Sequence, residues 1–292
     1  MPTEPRLAAL KSDLQATFSA LGLFSALAPR DPARKLGTAR AYGPLSRQKL
    51  DVYAPRRMAK PAPVAVFFYG GSWESGRRQD YGWVGQALAA RGFLTLVADY
   101  RLHPHVAYPD FLHDAALAVK WAVSHASDHG GDPHRLVLIG HSAGAYNAVM
   151  LGLDPQYLKA VGVDAHRIRA VAGLSGPYDF LPLDGPITRQ TFGHAPDLPA
   201  TQPMTHVRPD APPAFLATGD KDNTVRPRNT RRLAKALREA GVLVEEKHYE
   251  GVDHAGTVLA LSRLMRRKAP LLDDMVSFLL DRVNTNRERS TS

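Results

Sequence analysis

Cysteine is absent from the sequence. Its absence excludes disulfide bonds, zinc sites built on cysteine thiolates and a thiol nucleophile. It does not indicate a compartment, because a chain without thiols functions in reducing and oxidising surroundings alike. Any covalent chemistry that the chain performs must therefore begin from another side chain.

Long apolar runs are also missing, and none reaches the roughly 18–20 residues that a membrane helix requires. Phe18–Ala28 comes nearest, but it is short, and the acidic residues Glu4 and Asp13 precede it. A signal peptide has a basic start and a longer apolar run. We therefore predict that residues 1–36 form a helical segment packed on the body of a cytoplasmic protein. An exported protein, with this segment as a degraded or trimmed signal, is the alternative.

Internal repeats and low-complexity tracts do not occur, but the charge is unbalanced. The 37 Lys and Arg outnumber the 28 Asp and Glu, which gives a formal charge of +9. A basic chain can bind nucleic acid or anionic membranes. Here the basic residues are dispersed, and the densest clusters, at 226–232 and 263–268, are typical of solvated helix faces. We expect no nucleic-acid partner.

The chain is long and apolar enough for one sizeable core, with 292 residues of which 44% are hydrophobic. Strand patterns, mostly continuous apolar runs, occur at residues 40–42, 48–53, 64–69, 93–100, 135–139, 168–174, 214–218 and 243–249. Helical patterns occur between them at residues 81–91, 110–127, 143–151 and 228–240. This alternation predicts an α/β fold, with a mostly parallel sheet covered by helices on both faces. We assign residues 37–283 to this domain and 284–292 to a flexible tail.

One segment interrupts the alternation. Residues 176–213 contain nine prolines and are too long for an ordinary connection between two elements. We interpret the segment as a lid-like excursion over the carboxyl ends of the strands, where the active sites of such sheets form. Tyr178 and Phe192 from this excursion, together with Trp73, are candidates for a substrate pocket. The alternative is that they only pack the excursion against the body.

The pentapeptide Gly140-His141-Ser142-Ala143-Gly144 lies between a predicted strand and a predicted helix. A serine in such a sharp turn has strained backbone geometry, and its hydroxyl is held clear of the sheet. The two glycines leave room for a close contact between strand and helix. We predict that Ser142 is a nucleophile, and the alternative is an ordinary turn with a capping serine.

A serine hydroxyl needs a base that takes its proton. Five histidines follow Ser142, and only His254 lies in a glycine-flanked loop directly after a predicted strand. The others lie within that strand, in the excursion or before it, namely His248, His194, His206 and His166. We therefore predict that His254 is the base.

The acid that orients such a base should follow the preceding strand, in the loop at residues 219–225. This loop offers Asp220 and Asp222. Asp222 lies deeper in the loop, where it can reach the histidine loop, whereas Asp220 is typical of a turn residue that bonds its own backbone. We predict that Asp222 holds the second ring nitrogen of His254.

Attack on a carbonyl carbon creates a negatively charged oxygen, which requires N–H donors already in place. One candidate donor is the amide of Ala143, directly after the nucleophile. Residues 69–73 follow another strand, and their two glycines allow the amides of Gly71 and Ser72 to turn inward. The alternative is an ordinary glycine turn.

Asp99 and Arg101 end a further predicted strand. We expect the two side chains to form a buried pair that holds the loop after them. The alternative places Arg101 near a substrate.

Five motifs occur in one order along residues 38–282: Tyr-Gly-Gly-Ser-Trp at 69–73, Asp-Tyr-Arg-Leu-x-Pro at 99–104, Gly-His-Ser-Ala-Gly at 140–144, Gly-x-x-Asp-x-x-Val at 219–225 and the His254 loop. In them the chain resembles the bacterial α/β-hydrolase carboxylesterases related to hormone-sensitive lipase and kynurenine formamidase. The resemblance also implies Asp222 as the acid. The sequence departs from the pattern at Tyr69, because the family usually has a histidine there that supports the oxyanion loop.

These residues and the resemblance predict a serine carboxylesterase that hydrolyses small, short-chain esters through an acyl-enzyme. Its expected partner is a small-molecule ester, no metal or cofactor is implied, and a homodimer is left open. An arylformamidase that hydrolyses N-formylkynurenine is the alternative enzyme, favoured by the Gly-Gly-x-Trp ending at Trp73. A non-catalytic binding protein with the hydrolase fold is the alternative of another class.

Overall fold

The protein is described by a computed structural model for residues 22–285. These residues form an eight-stranded sheet in the order β1-β2-β4-β3-β5-β6-β7-β8. The strands are β1 Ala33–Ala41, β2 Lys49–Pro55, β3 Ala62–Phe68, β4 Leu94–Ala98, β5 Gly131–His141, β6 Ile168–Leu174, β7 Ala214–Gly219 and β8 Val244–Tyr249. Strands β3 to β8 pair in parallel, whereas β2 pairs antiparallel with both of its neighbours, β4 and β1. The predicted mostly parallel sheet is confirmed.

The helices follow the strands in the alternation that the sequence predicts. Those that lie wholly within the described range are α1 Gly82–Ala90, α2 Asp110–His125, α3 Ala143–Leu153, α4 Gln156–Ala160, α5 Pro186–Phe192, α6 Arg228–Glu239, α7 His254–Leu259 and α8 Leu271–Asn284. Helix α3 is buried along its whole length. No helix among residues 22–285 has both the length and the apolar character needed to cross a bilayer.

Burial explains the apolar patterns of the strands. Every residue of β3 and β4 is buried, because both strands have neighbours on each side and helices pack on the sheet. Strand β8 lies at the sheet edge and is half exposed, which explains its charged residues Glu245, Glu246 and Lys247. The carboxyl ends of β3, β5, β7 and β8 therefore lead into loops at one edge of a rigid sheet.

The ends of the chain differ from the predicted boundaries. Strand β1 begins at Ala33, which pairs with Pro55 of β2, so residues 33–36 are extended instead of helical. Residues 22–27 are helical, and the rest of the predicted N-terminal helical segment, 1–21, lies outside the described residues. Helix α8 continues to Asn284, where a tail was expected, and residues 286–292 also lie outside the described part. Residues 263–268 form turns instead of a helix face.

The proline-rich excursion at 176–213 connects β6 to β7 and contains α5 and two short 3₁₀ turns. Prolines occupy the first turn of all three elements, a position where the missing N–H is not needed. The Tyr146 hydroxyl of α3 donates to the Thr201 carbonyl at 2.7 Å and ties the excursion to that helix. The excursion is therefore bound to the helix that follows Ser142.

Candidate active site

Ser142 occupies the turn between β5 and α3 with φ 54° and ψ −123°. A non-glycine residue adopts such angles only where its surroundings enforce them. The Ser142 amide donates to the Leu174 carbonyl at the end of β6 at 2.9 Å, and its carbonyl accepts from the Tyr146 amide at 3.1 Å. The turn is thus tied both to the neighbouring strand and to its own helix.

Two glycines allow this turn to pack closely. A Cβ added at Gly144 would lie 2.1 Å from the Phe68 carbonyl oxygen, and one at Gly140 would lie 2.1 Å from the Gly144 oxygen. Both distances are far below van der Waals contact. Helix α3 therefore approaches β3 to a distance that only glycine permits.

The structure brings the three predicted catalytic side chains together. The Ser142 hydroxyl oxygen lies 2.9 Å from Nε2 of His254. On the other side of the ring, Nδ1 of His254 donates to Oδ2 of Asp222 at 2.8 Å. His254 is the first residue of α7, and the Asp253 side chain caps that helix by accepting from the Gly256 amide. The predicted base therefore lies within proton-transfer distance of the predicted nucleophile, and Asp222 holds the orientation of its ring.

Asp222 is held as a carboxylate. Burial would raise its pKa, but hydrogen bonding and attraction to His254, with a further bond from the Val225 amide, lower it below the ordinary range. Its Oδ1 accepts from the amides of Thr224 at 3.0 Å and Val225 at 2.8 Å. One carboxylate oxygen is thus bound by its own loop and the other is directed at the imidazole.

Asp220 has a different role from the one predicted. Its side chain does not bond its own turn but accepts from the Gly251 amide at 2.7 Å. Gly251 belongs to the loop that carries His254. It lies 31 positions after Asp220 in sequence, so a local turn pattern could not predict this bond. Asp220 therefore links the acid loop to the base loop.

The expected pair of Asp99 and Arg101 is wrong. Asp99 pairs with the buried Arg78, whereas Arg101 pairs with Asp114 of α2 through Nε at 2.8 Å. Both residues lie in the loop after β4 ends at Ala98, and each is nearer to a partner on another segment than to the other. Arg101 holds α2, and Asp99 belongs to a network beside residues 69–78.

The predicted oxyanion loop passes directly against the nucleophile. A Cβ at Gly70 would lie 2.9 Å from Cβ of Ser142. Gly71 has φ 134° and Ser72 has φ 51°, so the backbone turns sharply at the two predicted donors. Among residues 22–285, no acceptor is bound by the amides of Gly71, Ser72 or Ala143. These three N–H groups are therefore available to a developing oxyanion.

His141 is a site residue that the sequence reasoning left without a role. Its Nε2 donates to the backbone carbonyl of His254 at 3.0 Å, and the Thr257 hydroxyl donates to the same oxygen at 2.8 Å. Burial, followed by the nearby His254, lowers the pKa of His141 to about 3, so the ring is neutral. Its position beside the nucleophile, at the end of a buried strand, was the signal that could have identified it.

The predicted pocket residues are buried instead of lining an open cleft. The Trp73 ring lies edge-on to Phe192 at 4.8 Å and to Tyr146 at 5.3 Å between centroids, and its Nε1 donates to the Asn147 side chain at 3.3 Å. Tyr178 is fully buried. Its hydroxyl lies so close to Gly173 that a Cβ added there would be only 2.0 Å away. Trp73 and Phe192 thus form an aromatic cluster on α3, whereas Tyr178 packs on the end of β6.

The other histidines after Ser142 have structural contacts of their own. His248 bonds the Glu246 side chain at 2.7 Å on the edge strand, and His194 and His206 each bond a backbone carbonyl at 2.8 Å, of Tyr108 and Ala200. His166 is exposed. Across the described residues, no three His, Asp or Glu side chains are grouped so that they could hold a metal ion.

Comparison with known sequences identifies relatives of this fold and site. A profile of the BD-FAE family matches residues 50–237. Esterase LipC of Mycobacterium tuberculosis is 32% identical over 68% of this chain and 54% of its own length. The probable isoprenylcysteine alpha-carbonyl methylesterase ICMEL1 of Arabidopsis thaliana is 29% identical over 82% of this chain and 55% of its own length. The chain spans about half the length of these curated relatives.

Solved structures of esterases are also similar to this chain. The propionate-bound esterase 2 of Thermogutta terrifontis is 27% identical, with a TM-score of 0.69 over 86% of this chain and 94% of that chain. Structures of the same esterase phosphonylated by sarin and phosphorylated by paraoxon are similar as well. The resemblance to carboxylesterases of the α/β-hydrolase fold is confirmed.

Gly144→Ala tests the close contact between β3 and α3. The added methyl group collides with the Phe68 carbonyl, so we expect the free energy of unfolding to fall by about 1–3 kcal/mol or more. Urea unfolding followed by circular dichroism measures it. Gly185→Ala is the matched control, because its Cβ would meet its nearest neighbour at 3.4 Å. Equal stability of the two variants would contradict the contact.

His141→Gln tests the neutral state of the buried ring. The pKa of His141 is depressed from 6.5 to about 3, so the unfolded chain binds a proton that the folded protein does not. Stability is therefore lost as pH falls from about 6.5 towards 3, with a slope of up to about 1.4 kcal/mol per pH unit from this group. The glutamine variant should show a shallower slope in urea unfolding between pH 7 and 4. His105→Gln, at an exposed position, is the control, and equal slopes in all three proteins would refute the assignment.

Proposed function

The chain belongs to the BD-FAE family, and we propose that it is a serine hydrolase that cleaves small, short-chain carboxylic esters. The observation that carries the proposal is the array of Ser142, His254 and Asp222, with contacts of 2.9 and 2.8 Å, beside the available amides of the oxyanion loop. The two named curated relatives are an esterase and a probable methylesterase, which supports the same chemistry.

The reaction proceeds in two steps at this array. The Ser142 oxygen attacks the ester carbonyl while Nε2 of His254 takes its proton, and Asp222 stabilises the imidazolium that forms. The carbonyl oxygen becomes an oxyanion bound by the amides of Gly71, Ser72 and Ala143. His254 then gives the proton to the leaving alcohol. Water, activated by the same histidine, cleaves the acyl-enzyme and releases the acid.

The aromatic cluster on α3 supports a short acyl group. Tyr146 lies one helical turn beyond Ser142, and Trp73 directly follows the predicted donor Ser72. Both rings are buried, together with Phe192, so this side of the nucleophile is filled by packed side chains. The similar Thermogutta esterase binds propionate, a three-carbon acid of the kind that a short-chain ester releases.

Ser142→Ala tests the nucleophile. Loss of the hydroxyl should lower kcat for p-nitrophenyl acetate on the order of 10⁵-fold, because the acyl-enzyme cannot form. Labelling by a fluorophosphonate probe should disappear with it. Ser127→Ala, at an exposed serine, is the control and should keep both properties. Full turnover or full labelling of Ser142→Ala would rule out this mechanism.

A substrate panel tests the acyl preference. We expect kcat/KM to be highest for p-nitrophenyl acetate, propionate and butyrate. For the decanoate it should fall at least about tenfold, because a long acyl chain would have to displace packed aromatic rings. N-formylkynurenine belongs in the same panel as the competing amide substrate. A preference for the decanoate would contradict the short-acyl proposal, and faster turnover of N-formylkynurenine would assign the site to formamide hydrolysis.

A further inference from the structure

Tyr69, the residue before the oxyanion loop, is held on both faces and at its backbone. Its ring is stacked between Tyr81 at 5.3 Å and Tyr100 at 5.0 Å between centroids. The Tyr100 hydroxyl donates to the Tyr69 carbonyl at 2.8 Å. The Tyr69 side chain is fully buried. The start of the oxyanion loop thus has one fixed position relative to β4.

The Tyr69 hydroxyl joins two charged groups. It donates to Oδ1 of Asp99 at 2.8 Å and accepts from Nη2 of Arg47 at 2.8 Å. Burial raises the pKa of Tyr69 well above its ordinary value, so the hydroxyl keeps the proton that it donates. Asp99 is itself held by the backbone amide of Arg78 at 2.7 Å and by the Arg78 guanidinium. A phenol with both a donor and an acceptor partner is fixed in orientation.

Arg47 connects the two ends of the oxyanion loop. It lies in the turn between β1 and β2, outside the residues 50–237 that match the family profile. Its Nη2 donates to the Tyr69 hydroxyl at the start of the loop and also to the Gly76 carbonyl at its end, the latter at 2.7 Å. Its Nε donates to the Tyr100 carbonyl at 2.9 Å. One planar guanidinium therefore holds two backbone carbonyls and the Tyr69 hydroxyl.

The loop between these ends needs such support. Its internal bonds converge on the Gly71 carbonyl, which accepts from the amides of Glu74 and Ser75 at 3.0 Å each. They shape the turn but do not attach it to the sheet. Ser72 and Trp73 both have positive φ, 51° and 60°, a conformation that persists only where the surroundings enforce it. Trp73 attaches the middle of the loop, since its carbonyl accepts from the His103 amide at 2.7 Å and its ring packs on α3. The network at Tyr69 and Gly76 attaches the two ends.

We propose that Arg47 and Tyr69 are positioning residues that hold the oxyanion loop in its donor geometry, with Arg47 supplied by the antiparallel hairpin of β1 and β2. The inference rests on the proposed function, because the donor geometry affects the rate only if the reaction forms an oxyanion. Neither residue touches the reacting atoms. Their effect is on where the amides of Gly71 and Ser72 point, and a small displacement of such donors lowers the rate without preventing substrate binding.

The kinetic test uses Arg47→Ala and Tyr69→Phe. Both should lower kcat for p-nitrophenyl acetate about ten- to hundredfold and change KM little, because the lost interaction acts in the transition state. The Arg47 side chain is 32% exposed, so its removal leaves a site that solvent can reach. Guanidinium chloride at tens of millimolar should restore part of the kcat of Arg47→Ala, but not that of Tyr69→Phe, and sodium chloride should restore neither. Arg40→Met, on the exposed side of the same hairpin, is the matched control and should behave as wild type.

The structural readout is hydrogen exchange across residues 70–76, where the amides of Glu74 and Ser75 are bonded to the Gly71 carbonyl. Exchange should be faster in both variants than in wild type, while the amides of β5 and β6 keep their rates. This measurement does not require ester turnover, so it decides the inference even if the wild-type protein fails to hydrolyse esters and the proposed function falls. Unchanged exchange at residues 70–76, or a wild-type kcat in Arg47→Ala, would overturn the positioning role. A variant that unfolds would show fast exchange in β5 and β6 as well, and Arg47→Lys, which keeps the charge but loses the forked contacts, then supplies the comparison.

Discussion

The close packing of α3 on β3 is the constraint on which the site depends. Ser142 has strained backbone angles, and strain of this kind persists only if the elements on both sides are held firmly. Gly144 lies so near the Phe68 carbonyl that no side chain fits between helix and strand. The same contact brings the loop after β3 against the nucleophile, since Gly70 lies beside Ser142. One packing contact therefore places both the nucleophile and the predicted oxyanion donors.

The turn with Ser142 and the loop with Asp222 are each tied to the loop with His254 by a bond between residues distant in sequence. Asp220 binds the base loop at Gly251, and His141 binds the carbonyl of His254. The imidazole position therefore does not depend on its own short helix alone. Because burial lowers the pKa of His141 to about 3, its bond to the His254 carbonyl does not change with protonation near neutral pH.

Buried charge is concentrated on the other side of the site, beneath the oxyanion loop. Arg78 bridges Asp99 and Asp51, and Lys35 of β1 also pairs with Asp51 at 2.8 Å. Buried ion pairs contribute little net stability unless further hydrogen bonds complete them, but breaking one leaves an uncompensated charge. Here Tyr69 and the Arg78 amide complete the set around Asp99. The network thus specifies one arrangement of the hairpin, of β4 and of the loop.

Much of this architecture was predictable from local patterns. Continuous apolar runs identified the buried strands from β3 to β7, because a strand covered on both faces consists mainly of apolar residues. The glycine-flanked Ser142, and the loops with Asp222 and His254, were predictable since strand-to-loop junctions converge at one edge of a parallel sheet. The start of β1 at Ala33 could not be predicted in this way, because residues 33–36 are extended through their pairing with β2, where Ala33 lies opposite Pro55.

The unpredicted contacts share one physical cause. Asp99 meets Arg78, Asp220 meets Gly251, and Arg47 reaches Tyr69 and Gly76, and each of these bonds joins residues from separate elements. Residue type and spacing state which groups can bond, but the partner depends on how strands are ordered and twisted. The sequence therefore sufficed to predict the sheet and the order of the proposed catalytic residues along the chain. Which side chains hold those residues in place was decided only when the tertiary structure set the distances between them, because a hydrogen bond requires its two atoms within about 3 Å.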